Sequence, residues 1–328
     1  MASAPRILLV KTSSLGDVIH ALPVVTDIVR AQPGATIDWV AEESFADIPR
    51  LHPAVGTIFR TALRRWKKQL LAAETRQEIG AFRCAISAPT YDHIIDLQGL
   101  VKSAWISRQA IGVRSGFDFR SAREGWSSLA YQHRFAVDRA QHAVHRNRQL
   151  AASALGYSLD RLSLDYGIGN PAKRPPGIDL QNSAGNATFA LLITATSRDD
   201  KLWPEDRWIA LGLALGAQGM NAILPAGSAV ERARADRIAA QIPGARVLAP
   251  ATIAQLASEF STSRLAIGVD TGLTHLACAL GLPTLALFTA TDPGLTGVIG
   301  SGIFRNLGGK ANTPTVDEVL RGVAAALS

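Results

Sequence analysis

The fold is set by Ile7-Leu8-Leu9-Val10-Lys11-Thr12-Ser13-Ser14-Leu15-Gly16-Asp17, an apolar run that leads into a polar loop. A helical pattern over Val18–Arg30 follows it. The same order returns late in the chain, where Leu265–Ile267 leads into Gly268-Val269-Asp270-Thr271-Gly272 and a helical pattern over Leu273–Leu280. Such units indicate parallel α/β sheets, in which ligands bind at the carboxyl ends of the strands. Because the loops are about 250 residues apart, we predict corresponding sites on two domains that face one cleft. This arrangement suits an enzyme that joins two substrates.

Length and composition agree with two globular domains. The chain has 328 residues, 47% of them hydrophobic and 19% charged, which excludes a disordered protein. No apolar run is long enough to span a membrane, and the first residues lead into a strand without the pattern of a signal peptide. Cys84 and Cys278 are the two cysteines. Their apolar surroundings predict buried thiols, and we expect a cytosolic chain.

The charge of the chain predicts an anionic partner. The net charge is +7 and the isoelectric point is about 9.8. This balance fits nucleic acid, an acidic membrane surface or a phosphorylated substrate, and charge alone does not choose among them. The densest basic segment, Arg60–Lys68, contains five cations and Trp66 without an acidic residue, which indicates an anion site more than a solvated helix face. Lys102, Arg120 and Arg123 add positive charge in the same half. Since no nucleic-acid-binding fold is evident, a phosphorylated acceptor fits better.

Alternating strand and helix patterns fill both halves of the chain. We predict an N-terminal domain over 1–166, a linker over 167–186 that is rich in Gly, Pro and Asn, a C-terminal domain over 187–312 and a final helix within 313–328. The predicted strands are Ile7–Val10, Ile37–Val40, Ile94–Leu97, Phe189–Ile193, Met220–Leu224, Arg246–Leu248, Leu265–Ile267 and Thr284–Phe288. Helices are predicted at Val18–Arg30, around Ala104–Ala110, after Pro204 and over Val316–Leu327.

The late loop offers two interpretations. Asp270 could cap the following helix, or the amides of Thr271 and Gly272 at the helix start could bind a phosphate without a metal. Lys201, which follows the first strand of the second half, could neutralise a diphosphate or lie on the surface in water. The chain has no Walker A sequence, no well-placed Gly-x-Gly-x-x-Gly and no Asp-x-Asp, which disfavours a kinase, a dinucleotide dehydrogenase and a metal-held nucleotide sugar.

Asp17 is the candidate base of the early loop. An aspartate just after a tight turn could accept a proton from an attacking hydroxyl, although its ordinary pKa of ~3.9 is low for a base. It could equally cap the helix that begins beside it, and the two roles are compatible.

Four motifs resemble glycosyltransferase family 9, the lipopolysaccharide heptosyltransferases. They run from Lys11 to Pro23, from Gln98 to Ala104, from Thr196 to Pro204 and from Asp270 to His275. Their order is the expected one, and the resemblance extends from about Arg6 to about Gly297. The first and third motifs are closer to type I heptosyltransferases than to types II and III. One departure is Ala226, where the family commonly has tryptophan.

The resemblance implies an α/β protein with the GT-B fold, two Rossmann-like domains facing a central cleft, with the final helix crossing back to the N-terminal domain. It also implies inverting transfer of L-glycero-D-manno-heptose from ADP-heptose to a Kdo sugar of Kdo2-lipid A, without a cofactor or a required metal. The expected protein is a monomer that binds no nucleic acid and lies on the cytoplasmic face of the inner membrane.

The resemblance also assigns roles to individual residues. Asp17 is the implied base, and Lys201 with the Thr271 and Gly272 amides is implied to hold the donor diphosphate. The other implied donor residues are Thr196, Ser197, Glu231 at the ribose, Asp270 at the heptose hydroxyls and, as a supporting residue, His275. Basic residues expected to receive the acceptor's phosphates are Arg64, Arg65, Lys68, Lys102 and Arg123.

Two alternatives stay open at this point. One is the same chemistry on a later core sugar, and the other is a nucleotide-sugar-binding protein without catalysis. Asp17, Lys201 and Asp270 are all present, which argues against the second.

Overall fold

Two six-stranded parallel sheets, one in each half of the chain, form the framework. The computed structural model describes residues 4–168 and 188–328. The chain divides into the units Met1–Gly167 and Ile168–Ser328. The predicted linker lies outside the described residues except for Gly167 and Ile168. None of the described helices has the length and apolar character that crossing a bilayer requires.

The first unit has the strand order β3-β2-β1-β4-β5-β6, with every neighbouring pair parallel. Its strands are β1 (Arg6–Val10), β2 (Thr36–Glu42), β3 (Val55–Thr61), β4 (Thr90–Asp96), β5 (Ile111–Phe117) and β6 (His133–Phe135). Its helices are α1 (Leu15–Ile19), α2 (Leu22–Ala31), α3 (Asp47–Arg50), α4 (Leu63–Trp66), α5 (Ala73–Ser87), α6 (Val101–Ser107) and α7 (Ala143–Leu155). Short 3₁₀ helices cover Glu43–Phe45 and Gly125–Ala130.

The second unit has the strand order β12-β11-β10-β7-β8-β9, again with parallel pairs throughout. Its strands are β7 (Thr188–Ile193), β8 (Met220–Leu224), β9 (Arg246–Val247), β10 (Leu265–Val269), β11 (Thr284–Phe288) and β12 (Phe304–Gly308). Its helices are α8 (Glu205–Ala217), α9 (Ala229–Ala239), α10 (Ile253–Phe260), α11 (Gly272–Ala279), α12 (Pro293–Thr296) and α13 (Val316–Leu327). A 3₁₀ turn covers Asp199–Lys201.

The two strand orders are the same Rossmann order, and they explain where the loops of interest lie. In each sheet the chain starts in the centre, builds outward on one side and then returns to the other side of its first strand. The reversal falls between β1 and β4 in the first unit and between β7 and β10 in the second. Such switch points leave a crevice at the carboxyl ends of the strands. The Lys11–Asp17 loop and the Asp270–Gly272 loop each lie at one of them.

The predicted α/β class and the central strands are confirmed, because fully buried strands appear in the sequence as apolar runs. The prediction of one helix over Val18–Arg30 is wrong. The structure has α1 and α2 with a break at His20 and Ala21. Pro23 lies in the first turn of α2, where its missing amide costs nothing, whereas inside a continuous helix it would remove a hydrogen bond.

The prediction of two buried thiols is correct for Cys278 and wrong for Cys84, which is exposed on α5.

The final helix α13 packs within the second unit. Val319, Val323 and Ala326 are buried in the same cluster as core residues of α8 and the second sheet. A crossing of this helix to the first unit stays a prediction.

A buried ion pair fastens the early helices to α7. The Arg148 guanidinium donates to both carboxylate oxygens of Asp27 on α2, at 2.6 and 2.9 Å. The Asn147 side chain donates to the His20 carbonyl at 3.1 Å. Planar, bidentate pairs of this kind fix orientation as well as distance. Helix α7 therefore holds α2 and the turn between α1 and α2, and with them α1, which carries Asp17.

Candidate functional site

The loop after β1 is tied to the loop after β4. The Lys11 ammonium donates to the Leu97 carbonyl at 2.8 Å. The Gln98 amide oxygen accepts from the backbone N–H groups of Thr12 and Ser13, at 3.1 and 3.2 Å. Burial lowers the pKa of Lys11, against the opposing effects of Asp17 and Asp96. These contacts fix the switch-point crevice of the first unit as a rigid polar surface.

Asp96, which the sequence analysis did not single out, supports this arrangement. Its carboxylate accepts from the Gln98 and Gly99 amides, at 2.8 and 3.2 Å, and from the Tyr131 hydroxyl at 2.7 Å. Burial raises the pKa of Asp96 in spite of these bonds. An aspartate at the end of a strand is a common pattern, so its sequence position carries little signal. Its contribution is to orient the loop that holds Lys11 to Ser13.

Asp17 caps the start of α1 and keeps part of its carboxylate accessible. Its carboxylate accepts from the Ser14 amide at 2.9 Å and the Ser14 hydroxyl at 3.0 Å, as part of a capping box at the start of α1. Burial alone would raise the pKa of Asp17, but Lys11, the Ser14 amide and Arg123 outweigh it and hold the pKa below its ordinary value. The side chain is still partly exposed, with 27% of its surface accessible. Asp17 is therefore an ionised, reachable carboxylate that is fixed in one orientation.

Two of the predicted basic residues lie at Asp17 and at the loop that precedes it. An Arg123 guanidinium nitrogen lies 3.8 Å from the Asp17 carboxylate, and the Lys102 ammonium lies 3.3 Å from the Ser13 hydroxyl. Both side chains are exposed. The structure thus places Arg123 beside Asp17 and Lys102 beside Ser13 in the preceding loop, so two exposed cations lie at this site.

The basic segment around α4 lies farther along the sheet edge, after β3, whereas Asp17 follows β1 two strands away. Arg64 and Lys68 are exposed, and the Arg64 guanidinium lies 5.3 Å from the centre of the Phe45 ring. Glu42 accepts from the amides of Leu63 and Arg64, at 3.2 and 3.1 Å, and so anchors the start of α4.

One expectation about this segment needs correction, and one of its cations has acidic partners. Trp66 was expected to take part in an anion site, but it is buried against Phe82 and donates to Glu78 at 2.7 Å. Arg65 lies in a segment without an acidic residue of its own, but it pairs with residues outside that segment, Glu43 at 3.1 Å and Glu78 at 2.9 Å. These pairs raise the pKa of Arg65. The acidic residues are distant in sequence and adjacent in space, so the segment's own composition did not reveal them.

Asp270 is the centre of the polar cluster in the second unit. One carboxylate oxygen accepts from the Lys201 ammonium and the Thr291 hydroxyl, both at 2.7 Å. The other lies 3.8 Å from a ring nitrogen of His275. Burial alone would raise the pKa of Asp270, but His275, Lys201 and Thr291 hold it far below its usual range. Thr291, on the loop after β11, was not foreseen from the sequence.

The start of α11 favours the phosphate interpretation over capping by Asp270. The N-cap position belongs to Thr271, whose side chain makes no capping hydrogen bond, and the Asp270 carboxylate is engaged by Lys201 and Thr291 instead. Gly268 packs so closely that an added Cβ would lie 2.2 Å from the Thr274 hydroxyl oxygen and 2.9 Å from the Ile193 Cβ. This packing draws α11 tightly against β7 and β10. Gly272, the first residue of α11, then presents a helix N-terminus of the kind that binds anions.

The remaining predicted donor residues lie at the same edge of the second sheet. The Thr196 hydroxyl donates to the Asp270 carbonyl at 3.0 Å, and Ser197 beside it is exposed. Glu231 follows β8 and accepts from the Gly227 and Ser228 amides, at 2.8 and 3.0 Å, in a capping box of α9. The structure therefore joins Thr196, Lys201, Asp270 and His275 directly and places Glu231 in the first turn of α9, after the neighbouring strand β8.

Sequence comparison agrees with the motifs. The family model described as Glycosyltransferase family 9 (heptosyltransferase) matches residues 79–320. The lipopolysaccharide heptosyltransferase 1 of Pseudomonas aeruginosa is 44% identical over 297 residues, which cover 90% of this chain and 81% of that protein.

Structural comparison agrees with the fold. The solved structure of the E. coli heptosyltransferase WaaC with ADP is similar at a TM-score of 0.90 and 39% identity, with 98% of this chain and 99% of that one covered. The structure of the same protein with ADP-2-deoxy-2-fluoro heptose gives 0.87 and 38%, with the same coverage. The expected GT-B class, with two Rossmann-like sheets, is confirmed by this similarity.

Proposed function

The chain belongs to glycosyltransferase family 9, the heptosyltransferases, and we propose that it transfers L-glycero-D-manno-heptose from ADP-heptose to a Kdo sugar of Kdo2-lipid A. The observation that carries this function is the pair of switch-point sites. One presents an ionised carboxylate beside Arg123, with Lys102 at the preceding loop, and the other presents a lysine beside a helix N-terminus. The first suits an acceptor hydroxyl near phosphates, and the second suits a nucleoside diphosphate.

We assign the donor to the second unit. Lys201 has ammonium protons beyond the one it gives to Asp270, and together with the Thr271 and Gly272 amides it would hold the diphosphate. Asp270 would accept from heptose hydroxyls, Thr196 and Ser197 would line the site, and Glu231 would reach the ribose. His275 holds Asp270 in place.

We assign the acceptor to the first unit. Asp17 would remove the proton of the acceptor hydroxyl as that oxygen bonds to the anomeric carbon, while the bond from this carbon to the ADP oxygen breaks and the electron pair leaves with ADP. Inversion requires the base and the leaving group on opposite sides of the anomeric carbon. The leaving charge would be stabilised by Lys201 and the α11 amides, which is the preorganised electrostatic stabilisation that gives most of the rate in such sites.

The partners and the location follow from this assignment. Kdo2-lipid A is a phosphorylated lipid, and the basic residues Arg64, Arg65, Lys68, Lys102 and Arg123 would face its phosphates. We therefore place the enzyme, as a monomer, peripherally on the cytoplasmic face of the inner membrane.

The direct test is transfer from ADP-heptose to Kdo2-lipid A, followed by mass spectrometry and run with and without a chelator. We expect a gain of one heptose in both conditions, because Lys201 and backbone amides supply the positive charge. A gain only without chelator would overturn the metal-free assignment. Bound ADP with no mass gain would point to a later core acceptor or to a protein that binds without catalysis.

The two neighbouring arginines of α4 should differ in how much they contribute to binding of the acceptor. We expect Arg64→Ala to raise the KM for Kdo2-lipid A about tenfold, the effect of one lost charged contact of roughly 1.4 kcal/mol. Arg65→Ala should raise it less than about threefold, because Glu43 and Glu78 already occupy its guanidinium. The measurement is initial rate against acceptor at saturating donor, with thermal melting as the folding control. A larger effect from Arg65 would reverse this assignment.

A further inference from the structure

Exposed aromatic side chains concentrate on one part of the first unit. Among the described residues, the large aromatics that remain exposed are Trp105, Phe119 and Trp126. All three lie within the 26 positions from Val101 to Trp126. Scattered exposed leucines are ordinary, whereas clustered exposed aromatics mark a contact surface.

Helix α6 contributes one side of this surface. Val101 and Trp105 are exposed four residues apart, so they lie on the same face of the helix. Ser103, Ala104, Ile106 and Ser107 are buried on the other face. Lys102 and Arg108 are also exposed. The outer side of α6 is therefore both apolar and basic.

The 3₁₀ helix Gly125–Ala130 contributes the other side. Trp126 and Leu129 are 70% and 61% exposed, and positions three apart in a 3₁₀ helix stack on one face. Ser127 and Ser128 between them are buried. Phe119, 54% exposed, meets the Trp126 ring edge to face with centroids 5.5 Å apart. We call Val101, Trp105, Phe119, Trp126 and Leu129 the aromatic patch.

The aromatic patch adjoins the Asp17 site and carries positive charge. Helix α6 packs on the 3₁₀ helix, and the Val101 amide donates to Glu124 at 2.7 Å. Glu124 is the neighbour in sequence of Arg123, which lies beside Asp17. Over residues 101–134 the chain has six Lys and Arg against two Asp and Glu, a net charge of +4.

We propose that the aromatic patch is the surface by which this protein docks on a membrane rich in anionic lipid, with Trp126 and Leu129 entering the interfacial layer. Tryptophan and phenylalanine favour the level of lipid headgroups, and neighbouring basic residues are attracted to anionic lipids. Stable attachment generally requires both an apolar and an electrostatic contribution, and the patch offers both. The inference rests on the proposed function in one respect, because a lipid acceptor would then be presented next to Asp17.

The test measures binding to lipid vesicles by co-sedimentation, using phosphatidylethanolamine vesicles with or without about 30% phosphatidylglycerol. We expect the double variant Trp126→Ser/Leu129→Ser to lower the partition coefficient at least about tenfold, since both side chains lose their burial in the bilayer. The matched control is Leu213→Ser/Ile303→Ser, which removes two apolar side chains that are 46% and 51% exposed on the second unit. The control should stay within about twofold of the unchanged protein.

A second set of variants tests the electrostatic contribution to vesicle binding. Arg108→Gln and Arg120→Gln should each weaken binding to the anionic vesicles about fivefold and leave binding to the neutral vesicles unchanged, as expected for cations near a charged surface. Equal losses on both vesicle types would contradict the role of these charges.

Transfer assays separate the patch from the proposed function. With deacylated, water-soluble acceptor, Trp126→Ser/Leu129→Ser should keep its rate, whereas with acceptor embedded in vesicles the rate should fall with binding. Absence of transfer in the unchanged protein would defeat the proposed function, while vesicle binding would still decide the patch. Vesicle binding unaffected by the double variant would overturn the patch proposal. A dimer in sedimentation velocity that the double variant abolishes, without vesicle binding, would instead assign the patch to a second copy of the chain.

Discussion

Asp17→Asn is expected to lower kcat for heptose transfer by about 10³-fold, within the range that positioned acid–base groups contribute, and to leave the affinity for ADP unchanged. The amide oxygen of asparagine can still accept from the Ser14 amide and hydroxyl, which now bond to Asp17 at 2.9 and 3.0 Å. The start of α1 should therefore remain intact. What is lost is the carboxylate that takes the proton from the acceptor.

The pH dependence of the reaction follows from the direction of the pKa shift. Lys11, the Ser14 amide and Arg123 outweigh burial and hold the pKa of Asp17 below its ordinary value. A depressed pKa in the folded state means that the carboxylate is charged throughout the neutral range and becomes protonated only as the pH falls through the folded value. We expect kcat to show no acidic limb from Asp17 above pH 5, roughly one unit above the ordinary aspartate value.

A matched control distinguishes a base from a helix cap. Asp118 accepts from the Ser121 amide at 2.7 Å, and this serine lowers the pKa of Asp118 as well. Asp118→Asn therefore removes the same charge from a similar turn and should keep kcat within about threefold. Isothermal titration with ADP and rates with saturating substrates measure the two quantities. A folded Asp17→Asn protein that lost ADP binding, or kept its kcat, would place Asp17 in another role.

The sequence was informative where a strand is buried on both faces. Ile7–Val10 and Thr284–Phe288 are entirely buried and appear as unbroken apolar runs, so their positions were predictable. The strand Val55–Thr61 was not predicted, because it lies at the edge of its sheet and most of its side chains are exposed or half-buried. Edge strands lack the apolar run that identifies a central strand.

Some residues of the candidate site were likewise predictable from the sequence, and others were not. Asp17 and Asp270 were found because each lies in the polar segment between a recognisable strand and the predicted helix that follows it. Asp96 and Thr291 act through contacts with residues far away in sequence, and no local pattern encodes such contacts. The neutralisation of Arg65 by Glu43 and Glu78 was missed for the same reason. Which cations remain available to a ligand depends on tertiary pairing.

Lys201→Ala is expected to weaken ADP binding by roughly 10- to 100-fold, the range for losing a hydrogen bond to a charged group. The change also removes the ammonium group that lies 2.7 Å from the Asp270 carboxylate in the unchanged protein. A matched control is Arg198→Ala on the same loop, because Arg198 is exposed and pairs with Asp200. Its donor affinity should change by less than about twofold. Titration calorimetry with ADP measures both variants, and thermal melting confirms that they fold.

The double variant Lys201→Ala/Asp270→Asn separates two explanations of that loss. If Lys201 only neutralises Asp270, removing the carboxylate charge as well should restore ADP affinity to within about threefold of the unchanged protein. If Lys201 contacts the diphosphate, as proposed, ADP binding should stay weak in the double variant. The Asp270 carboxylate no longer repels the ligand there, so the remaining loss comes from the missing lysine contact. Asp270→Asn by itself keeps the lysine and should bind ADP at least as well as the unchanged protein, while heptose transfer falls through the lost hydroxyl contact. Restored ADP affinity in the double variant would remove Lys201 from the phosphate site.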